Sequence, residues 1–221
     1  MLAPLVIAID GPSGSGKSST ARGVASKLGL SYLDTGSMYR AVTWHMITNG
    51  IDVSDAHAVA HEAPNVTITV GTDPTAPEIY AGDTDVSGPI RGHEVTSAVS
   101  SVSAVAQVRA QLVKIQQHVA ATCEAGVVVE GRDIGTVVLP DATLKIYLTA
   151  DGHARAHRRA AEQGIDLHET AQSLKARDLA DTTRTVSPLE KAADAVEVDT
   201  TDMTLEQAIQ HICDLAVSRR G

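Results

Sequence analysis

Residues 11–18 read Gly-Pro-Ser-Gly-Ser-Gly-Lys-Ser and match the G-x-x-x-x-G-K-S pattern of a phosphate-binding loop. The glycines let the backbone curl so that successive N–H groups point at phosphate oxygens. A helix that begins directly after the loop adds the positive end of its dipole. Lys17 can reach the β- and γ-phosphates, and the hydroxyl of Ser18 can bind Mg²⁺. The motif therefore predicts binding of a nucleoside triphosphate but does not indicate what is done with it.

A second constellation consists of arginines and carboxylates that follow predicted strands or lie on predicted helices. Arginine suits phosphate because its planar guanidinium bonds two oxygens at once. We expect the following arginines to border a cleft: Arg40, Arg109, Arg132, Arg155, Arg158, Arg159, Arg177 and Arg184. On a helix, Arg177 and Asp181 share a face and Arg184 follows one turn later. This spacing is equally typical of a solvated row of surface ion pairs.

The elements that must position these residues alternate between strands and helices. An apolar, β-branched run at 5–9 predicts a buried parallel strand just before the loop, and a helix begins at about Ser18. Further strands are predicted at 30–34, 126–130, 144–148 and 195–199, with helices between them. This order predicts an α/β fold with a doubly wound, five-stranded parallel sheet that binds its ligands at the carboxyl ends of the strands.

Two segments depart from the alternation. Residues 65–92 combine alternating apolar residues with Gly, Asp, Thr and Pro, which predicts a small antiparallel patch inserted as a subdomain. The charged region 153–180 is predicted to be helical with a break near Gly164. Such a region is either a lid over the cleft or a solvated surface helix.

Composition and charge narrow the class of protein. The chain has 221 residues, 43% hydrophobic and 2% aromatic, with 18 Lys and Arg against 27 Asp and Glu for a net charge of −9. Acidity and scarce aromatics argue against a nucleic-acid-binding surface. Cys123 and Cys213 lack metal-type spacing and are expected to be reduced thiols. No stretch has the pattern of a signal peptide or a membrane span, so we expect a soluble, cytoplasmic protein without membrane partners. We also expect a monomer without nucleic-acid partners.

Several motifs together resemble the bacterial cytidylate kinases, the CMP kinase branch of the nucleoside monophosphate kinases. They are Ile9-Asp-Gly-Pro-Ser-Gly-Ser-Gly-Lys-Ser, Leu33-Asp-Thr-Gly-Ser-Met-Tyr-Arg, Asp85-Val-Ser, Ile90-Arg, Gly131-Arg-Asp-Ile-Gly-Thr-Val-Val, Pro140-Asp-Ala, His157-Arg-Arg and Arg177-Asp-x-x-Asp-x-x-Arg. The motifs that start at Leu33 and Gly131 are specific, whereas the phosphate-binding loop alone is not. The resemblance extends over nearly the whole chain.

The resemblance implies a P-loop kinase in three parts. The core would be residues 1–64, 93–152 and 188–221, the monophosphate-binding insert 65–92, and the helical lid 153–187. The implied reaction moves the γ-phosphoryl group of ATP to CMP or dCMP. Mg²⁺ would be bound by Ser18, with the neighbouring Ser19 as the alternative hydroxyl.

Site residues follow from the same resemblance. The ATP phosphates would lie against Gly11, Pro12, Ser13, Gly14, Ser15, Gly16, Lys17, Ser18 and Ser19. The monophosphate of the acceptor would contact Thr35, Arg40 and Arg132, and the cytosine would contact Ser100, Arg109, Asp133 and Arg184. Arg177 and Asp181 would hold the ribose hydroxyls. The residues with a catalytic role, through positive charge on the transferred group, would be Lys17, Arg132 and Arg158.

A phosphate-binding loop also occurs in proteins of other functions. A switch GTPase would carry an Asn-Lys-x-Asp motif, which the sequence lacks, and the D-x-x-G match at 85–88 lies in the insert. A kinase for another small molecule, such as shikimate or gluconate, would lack the insert and the cluster of Arg177, Asp181 and Arg184. A catalytically inactive nucleotide-binding module is disfavoured by the intact Lys17 and the full set of arginines.

Overall fold

The computed structural model describes residues 3–164 and 166–220. The strands within these residues are β1 (Leu5–Asp10), β2 (Ser31–Asp34), β3 (Ile68–Val70), β4 (Ile79–Ala81), β5 (Thr84–Asp85), β6 (Gly126–Gly131), β7 (Leu144–Thr149) and β8 (Val196–Asp199). The helices are α1 (Lys17–Leu28), α2 (Thr35–Thr48), α3 (Ala56–Glu62), α4 (His93–Ser103), α5 (Ala106–Thr122), α6 (Gly152–Gln163), α7 (Leu167–Thr183) and α8 (Leu205–Arg220). A π-helical turn, Ile134–Val138, follows β6.

Five of these strands form one sheet in the order β2-β6-β1-β7-β8, and every neighbouring pair is parallel. The connection from β1 to β2 runs in one direction along the sheet and the later connections run in the other, so α1 and α2 cover opposite faces. The predicted α/β fold with a five-stranded parallel sheet is confirmed. In the register, Asp10 lies opposite Gly131, which places the carboxyl ends of β1 and β6 side by side.

Two apolar layers cover the sheet because successive strand residues point to opposite faces. Ala8 packs with the helices α2, α4 and α5, whereas Ile7 and Ile9 pack with α1 and α8. These central side chains are fully buried, which explains why β1 reads as a continuous run of apolar residues. The chain has no Phe, and small and β-branched side chains fill both layers.

The strands β3, β4 and β5 form a separate antiparallel sheet at the place where the sequence predicts an insert. Hydrogen bonds to the loop between β3 and β4 attach it to β2 and α1. The amide of Tyr32 donates to the carbonyl of Thr72 at 2.9 Å, and Nε of Arg22 donates to the carbonyl of Pro74 at 2.9 Å. The division of the chain into core, insert and lid stays a prediction.

The charged region forms two helices that pack on each other, α6 and α7. Gly164 ends α6 in a left-handed conformation, φ 66°, as glycine readily does at this position. Asp151 and Asp166 cap the two N-termini by accepting backbone hydrogen bonds. Among the described residues, no helix combines the length and the hydropathy needed to span a bilayer.

Candidate active site

The loop between β1 and α1 has the backbone of an anion-binding turn. Gly11 has φ 150°, and a Cβ atom there would lie 2.0 Å from the carbonyl oxygen of Leu148 on the adjacent strand β7. Gly14 and Gly16 also have positive φ, at 76° and 85°. These conformations favour glycine, and they turn the loop directly into the N-terminus of α1. The predicted order of strand, loop and helix is therefore present.

Lys17 lies folded against this loop and is only 6% exposed. Its Nζ donates to the carbonyl of Pro12 at 2.7 Å and to the hydroxyl of Ser15 at 3.4 Å. Burial lowers the pKa of the Lys17 amine, and the positive charge of Arg132 lowers it further. An adjacent phosphate would oppose both effects, so the site is electrostatically complementary to a polyanion.

Ser18 and Glu130 bring two hard oxygen ligands together. The hydroxyl of Ser18 donates to Oε2 of Glu130 at 3.1 Å, and the hydroxyl of Tyr32 donates to Oε1 of the same carboxylate. Burial raises the pKa of Glu130, and the nearby charge of Asp34 raises it further. A hydroxyl and a carboxylate beside a phosphate-binding loop suit Mg²⁺, which commonly takes one or two protein ligands plus phosphates and waters.

Asp133 lies at the centre of a buried cluster of two arginines. Nη2 of Arg109 donates to one carboxylate oxygen, and Nη2 of Arg184 lies 3.4 Å from the other. The guanidinium of Arg109 also stacks over the ring of Tyr39, 5.3 Å from its centroid. Arg109 donates as well to the carbonyl of Ser103 at 3.3 Å. The cluster is rigid and polar, as recognition of a base edge requires.

A second cluster is dominated by positive charge. Burial, together with the charges of Arg177 and Arg159, lowers the pKa of Arg40 from 12.5 to about 10. Burial and the charge of Arg132 lower the pKa of Arg177 in the same way. These buried guanidinium groups repel one another because they carry the same charge. An anion such as phosphate placed between them would relieve this repulsion.

Carboxylate and backbone groups hold this second cluster in place. Nε of Arg132 donates to Oδ2 of Asp181 at 2.7 Å. Nη1 of Arg40 donates to the hydroxyl of Thr96 at 2.9 Å and to the carbonyl of Ile90 at 3.2 Å. The hydroxyl of Thr35 donates to the carbonyl of Glu130 at 2.7 Å. The residues of this cluster thus come from α2, the turn after β6 and α7, and Arg40 is held by α4 and the carbonyl of Ile90.

Comparison with known proteins decides the family. A profile described as cytidylate kinase matches residues 7–218. The chain belongs to the cytidylate kinase family. A cytidylate kinase of Streptomyces avermitilis is 56% identical over 98% of this chain and 94% of its own length. A cytidylate kinase of Mycobacterium avium is 49% identical over 99% of this chain and 98% of its own length.

Among solved structures, an uncharacterized protein from Eubacterium ventriosum superposes with a TM-score of 0.54 and 13% identity, over 97% of this chain and 98% of its own. At this identity the similarity concerns the fold alone. The resemblance to cytidylate kinases inferred from the motifs is confirmed by the family match.

The structure brings together most residues that the cytidylate kinase resemblance assigns to the acceptor. Arg109, Asp133 and Arg184 are in one cluster, and Ser100 lies on α4 three residues before Ser103, whose carbonyl accepts from Arg109 at 3.3 Å. Arg158 lies elsewhere. Its guanidinium donates to the carbonyls of Thr200 and Thr201, at 2.6 and 3.4 Å, in the loop after β8. Its catalytic role stays a prediction, as do the other assigned roles.

Two further residues, Asp10 and Asp178, lie within the family motifs, but the sequence assigned a role to neither. Asp10, 5% exposed, ends β1 and accepts from the amides of Ile134 and Gly135, both at 2.8 Å. Asp178 on α7 accepts from the amide of Ser13 in the phosphate-binding loop at 2.9 Å. Besides the motif, the sequence signal for Asp10 was its place as a carboxylate at the end of an apolar strand. Asp178 could not be told from its charged neighbours.

Proposed function

We propose that this protein transfers the γ-phosphoryl group of ATP to CMP or dCMP and releases ADP with CDP or dCDP. The observation that carries the proposal is the pairing of Asp10 with Gly131 in the sheet register. It places the phosphate-binding loop after β1 next to the turn that bears Arg132 and Asp133. A donor site and an acceptor site at neighbouring strand ends are what phosphoryl transfer between two nucleotides requires.

The Asp133 cluster is suited to cytosine. A carboxylate can accept a hydrogen bond from the N4 amino group, and the guanidinium groups of Arg109 and Arg184 can donate to O2 and N3. Uracil presents a carbonyl where cytosine has its amino group, so it would leave a buried carboxylate facing an acceptor. That mismatch supplies the discrimination against UMP.

The arginine cluster is suited to the monophosphate and the sugar. Arg40 and Arg132 would bind the phosphate oxygens with the help of Thr35. Asp181, held by Arg132, would accept a hydrogen bond from a ribose hydroxyl while Arg177 donates to the sugar. The same arginines would steer the acceptor phosphate toward the loop after β1.

The chemistry needs no covalent enzyme intermediate because an acceptor phosphate oxygen is already ionised. That oxygen forms a bond to the γ-phosphorus while the bond from the γ-phosphorus to the β–γ bridging oxygen breaks, and the electron pair leaves with ADP. Lys17 and Arg132 would offset the charge on the transferred group. Ser18 and Glu130 would hold Mg²⁺, which supplies further charge compensation on the donor phosphates.

We further propose that the protein acts in pyrimidine metabolism as a cytoplasmic monomer, with the insert at 65–92 and the lid at 153–187 closing over the substrates. The free and buried thiols of Cys123 and Cys213 are in keeping with a reducing compartment. Closure of a lid would exclude water, which otherwise competes as phosphoryl acceptor. Light scattering on the purified chain measures the oligomeric state directly.

The test is an ADP-release assay with ATP, Mg²⁺ and each of AMP, CMP, dCMP, UMP and GMP, with Lys17→Ala as the inactive control. CMP and dCMP are expected to give the highest kcat/KM. Shikimate and gluconate are included because a P-loop kinase for another small molecule is the alternative. ADP release that depends on one of those acceptors and not on CMP would refute the proposal. ATP binding without any acceptor-dependent ADP release would identify an inactive nucleotide-binding module.

A further inference from the structure

The lid helix α7 touches the phosphate-binding loop through a carboxylate that belongs to neither substrate cluster. Oδ1 of Asp178 accepts from the backbone amide of Ser13 at 2.9 Å. Its other oxygen, Oδ2, accepts from Nη1 of Arg155 on α6. The same Nη1 donates to the carbonyl of Ser13 at 2.9 Å. Asp178, Arg155 and Ser13 therefore form a closed set of hydrogen bonds, here called the lid–loop clasp.

Packing around the clasp is tight. A Cβ atom at Gly14 would lie 3.3 Å from the carbonyl of Arg155 and 3.3 Å from Cδ1 of Leu174 on α7. Nε of Arg155 also donates to the carbonyl of Ala150, at the end of β7, at 3.1 Å. Both lid helices thus lie directly on the donor loop, and the clasp is anchored to the central sheet. A rigid contact of this kind transmits a displacement of the loop to α7.

The neighbours of Asp178 on α7 face the acceptor. Arg177 precedes it, and Asp181, three residues later, binds Arg132 at 2.7 Å. Since a helix is stiff over one turn, the position of Asp178 sets the positions of Arg177 and Asp181. One helical turn therefore contacts the donor loop on one side and the acceptor cluster on the other.

The charge of Asp178 needs compensation in this place. A carboxylate beside a loop that binds a triphosphate would repel the ligand, and the two partially buried side chains are only 20% and 17% exposed. Arg155 supplies the opposite charge within the same clasp. The carboxylate of Asp178 can therefore accept a hydrogen bond from the Ser13 amide, while the charge of Arg155 keeps the net charge beside the donor phosphates from becoming more negative.

We propose that Asp178 is a positioning residue that couples the donor loop to the acceptor cluster through α7. Binding of ATP to the loop stiffens the clasp, and this fixes Arg177 and Asp181 in the orientation that CMP requires. The inference rests on the proposed function, because it assigns the nucleotide triphosphate to the loop and CMP to the arginines. Asp178 itself contacts neither reacting atoms nor substrate.

Isothermal titration calorimetry tests the coupling. The dissociation constant of CMP is measured with and without a saturating, non-hydrolysable ATP analogue and Mg²⁺. In the wild type the analogue is expected to tighten CMP binding about 5-fold or more, the usual lower end of coupling between two sites. In Asp178→Ala and in the isosteric Asp178→Asn this ratio is expected to fall toward 1. Glu169→Ala, an exposed carboxylate in the first turn of α7, is the matched control and should keep the wild-type ratio.

Arg155→Ala adds a second, independent readout. It leaves the carboxylate of Asp178 uncompensated beside the loop, so affinity for the ATP analogue should fall more than in Asp178→Ala. In the double variant the affinity for the ATP analogue should return to the level of Asp178→Ala.

The inference would be overturned if both Asp178 variants kept the wild-type coupling. It would also be overturned if the analogue did not change CMP binding to the wild type. Tighter binding of the analogue to Asp178→Ala would also overturn it, because the carboxylate would then obstruct the loop. Failure of the wild type to bind CMP would refute the proposed function itself.

Discussion

The carboxylate of Asp10 lies 2.8 Å from the amide nitrogen of Gly135, and this contact joins the strand before the phosphate-binding loop to the turn after β6. A second hydrogen bond, from the amide of Ile134, has the same length. The turn bears Arg132 and Asp133, which belong to the two clusters proposed to bind the acceptor. Asp10 therefore fixes the relative position of the two halves of the site without contacting either proposed substrate.

The first prediction concerns Asp10 and the pH dependence of stability. Burial outweighs the two hydrogen bonds and raises the pKa of Asp10 from 3.8 to about 6. Between these values the folded protein holds a proton that the unfolded chain has lost, so the free energy of unfolding falls as pH rises from about 4 to about 6. A shift of this size corresponds to about 3 kcal/mol. Asp10→Asn cannot titrate and should lack this decline.

Urea denaturation of the wild type and Asp10→Asn at several pH values between 4 and 8 measures the effect. The relevant quantity is the difference between the two proteins, since other groups titrate equally in both. Asp83→Asn, an exposed carboxylate in the insert, is the control and should run parallel to the wild type. A constant difference between wild type and Asp10→Asn over the whole range would contradict the prediction.

The sequence predicts the fold and the donor loop because their signals are local. A β-branched strand, a glycine-rich loop and an amphipathic helix follow one another between residues 5 and 28, and each has its own pattern. Asp10 and Gly135 are 125 positions apart, and no periodicity links them. The same holds for Asp178 and Ser13, which are 165 positions apart. Such contacts depend on how elements pack, which local propensity does not encode.

The acceptor residues are an intermediate case. Arg177 and Asp181 have a spacing that predicts a shared helix face, and a solvated ion-pair row has the same spacing. In the structure Asp181 accepts a hydrogen bond from Arg132, which lies on the turn after β6, and so it pairs with a distant residue and not with a neighbour on its own helix. The family motifs assign both residues to the acceptor nucleotide, but the spacing within either motif does not indicate that their side chains meet.

Lys17→Ala is expected to lower kcat by roughly 10²- to 10³-fold, the usual effect of losing one preorganised charge at a transferring group. Lys27→Ala removes a lysine from the exposed end of the same helix and should leave kcat unchanged. ADP release at saturating ATP and CMP gives both values. Equal activity of Lys17→Ala and the wild type would show that the buried amine does not meet the transferred phosphoryl group.

Tyr32→Phe removes the hydroxyl that donates to Glu130 and leaves the carboxylate with Ser18 as its remaining described hydrogen-bond donor. The carboxylate should become more mobile, so the Mg²⁺ concentration for half-maximal activity is expected to rise several-fold. Loss of one hydrogen bond to a buried carboxylate should also lower stability by about 1–3 kcal/mol. Mg²⁺ titrations at fixed ATP, together with urea denaturation, separate the two effects. Tyr147→Phe is the control on β7, and an unchanged Mg²⁺ requirement in Tyr32→Phe would argue against a metal role for Glu130.

Asp133→Asn should relax the choice of base. An amide can donate as well as accept, so it can pair with the uracil carbonyl that a carboxylate repels. The ratio of kcat/KM for CMP to that for UMP is expected to fall by about 10- to 100-fold, in line with about 1–3 kcal/mol for one mispaired buried polar group. The substitution removes the charge that compensates Arg109 and Arg184, so it can lower the stability of the protein. The ratio of the two kcat/KM values is still informative, because it does not depend on the fraction of enzyme that is folded. A ratio equal to that of the wild type would place base recognition elsewhere.

Asp181→Ala tests the sugar contact and its link to Arg132. If Asp181 accepts from the 2′-hydroxyl, its removal raises KM for CMP more than KM for dCMP, which has no such donor. The freed guanidinium of Arg132, which loses its 2.7 Å partner, should lower kcat for both substrates alike. The two consequences are separable because one changes the ratio of the substrates and the other does not. Thr182→Ala, exposed on the same helix, is the control. Unchanged kinetics for both CMP and dCMP in Asp181→Ala would remove Asp181 from the acceptor site.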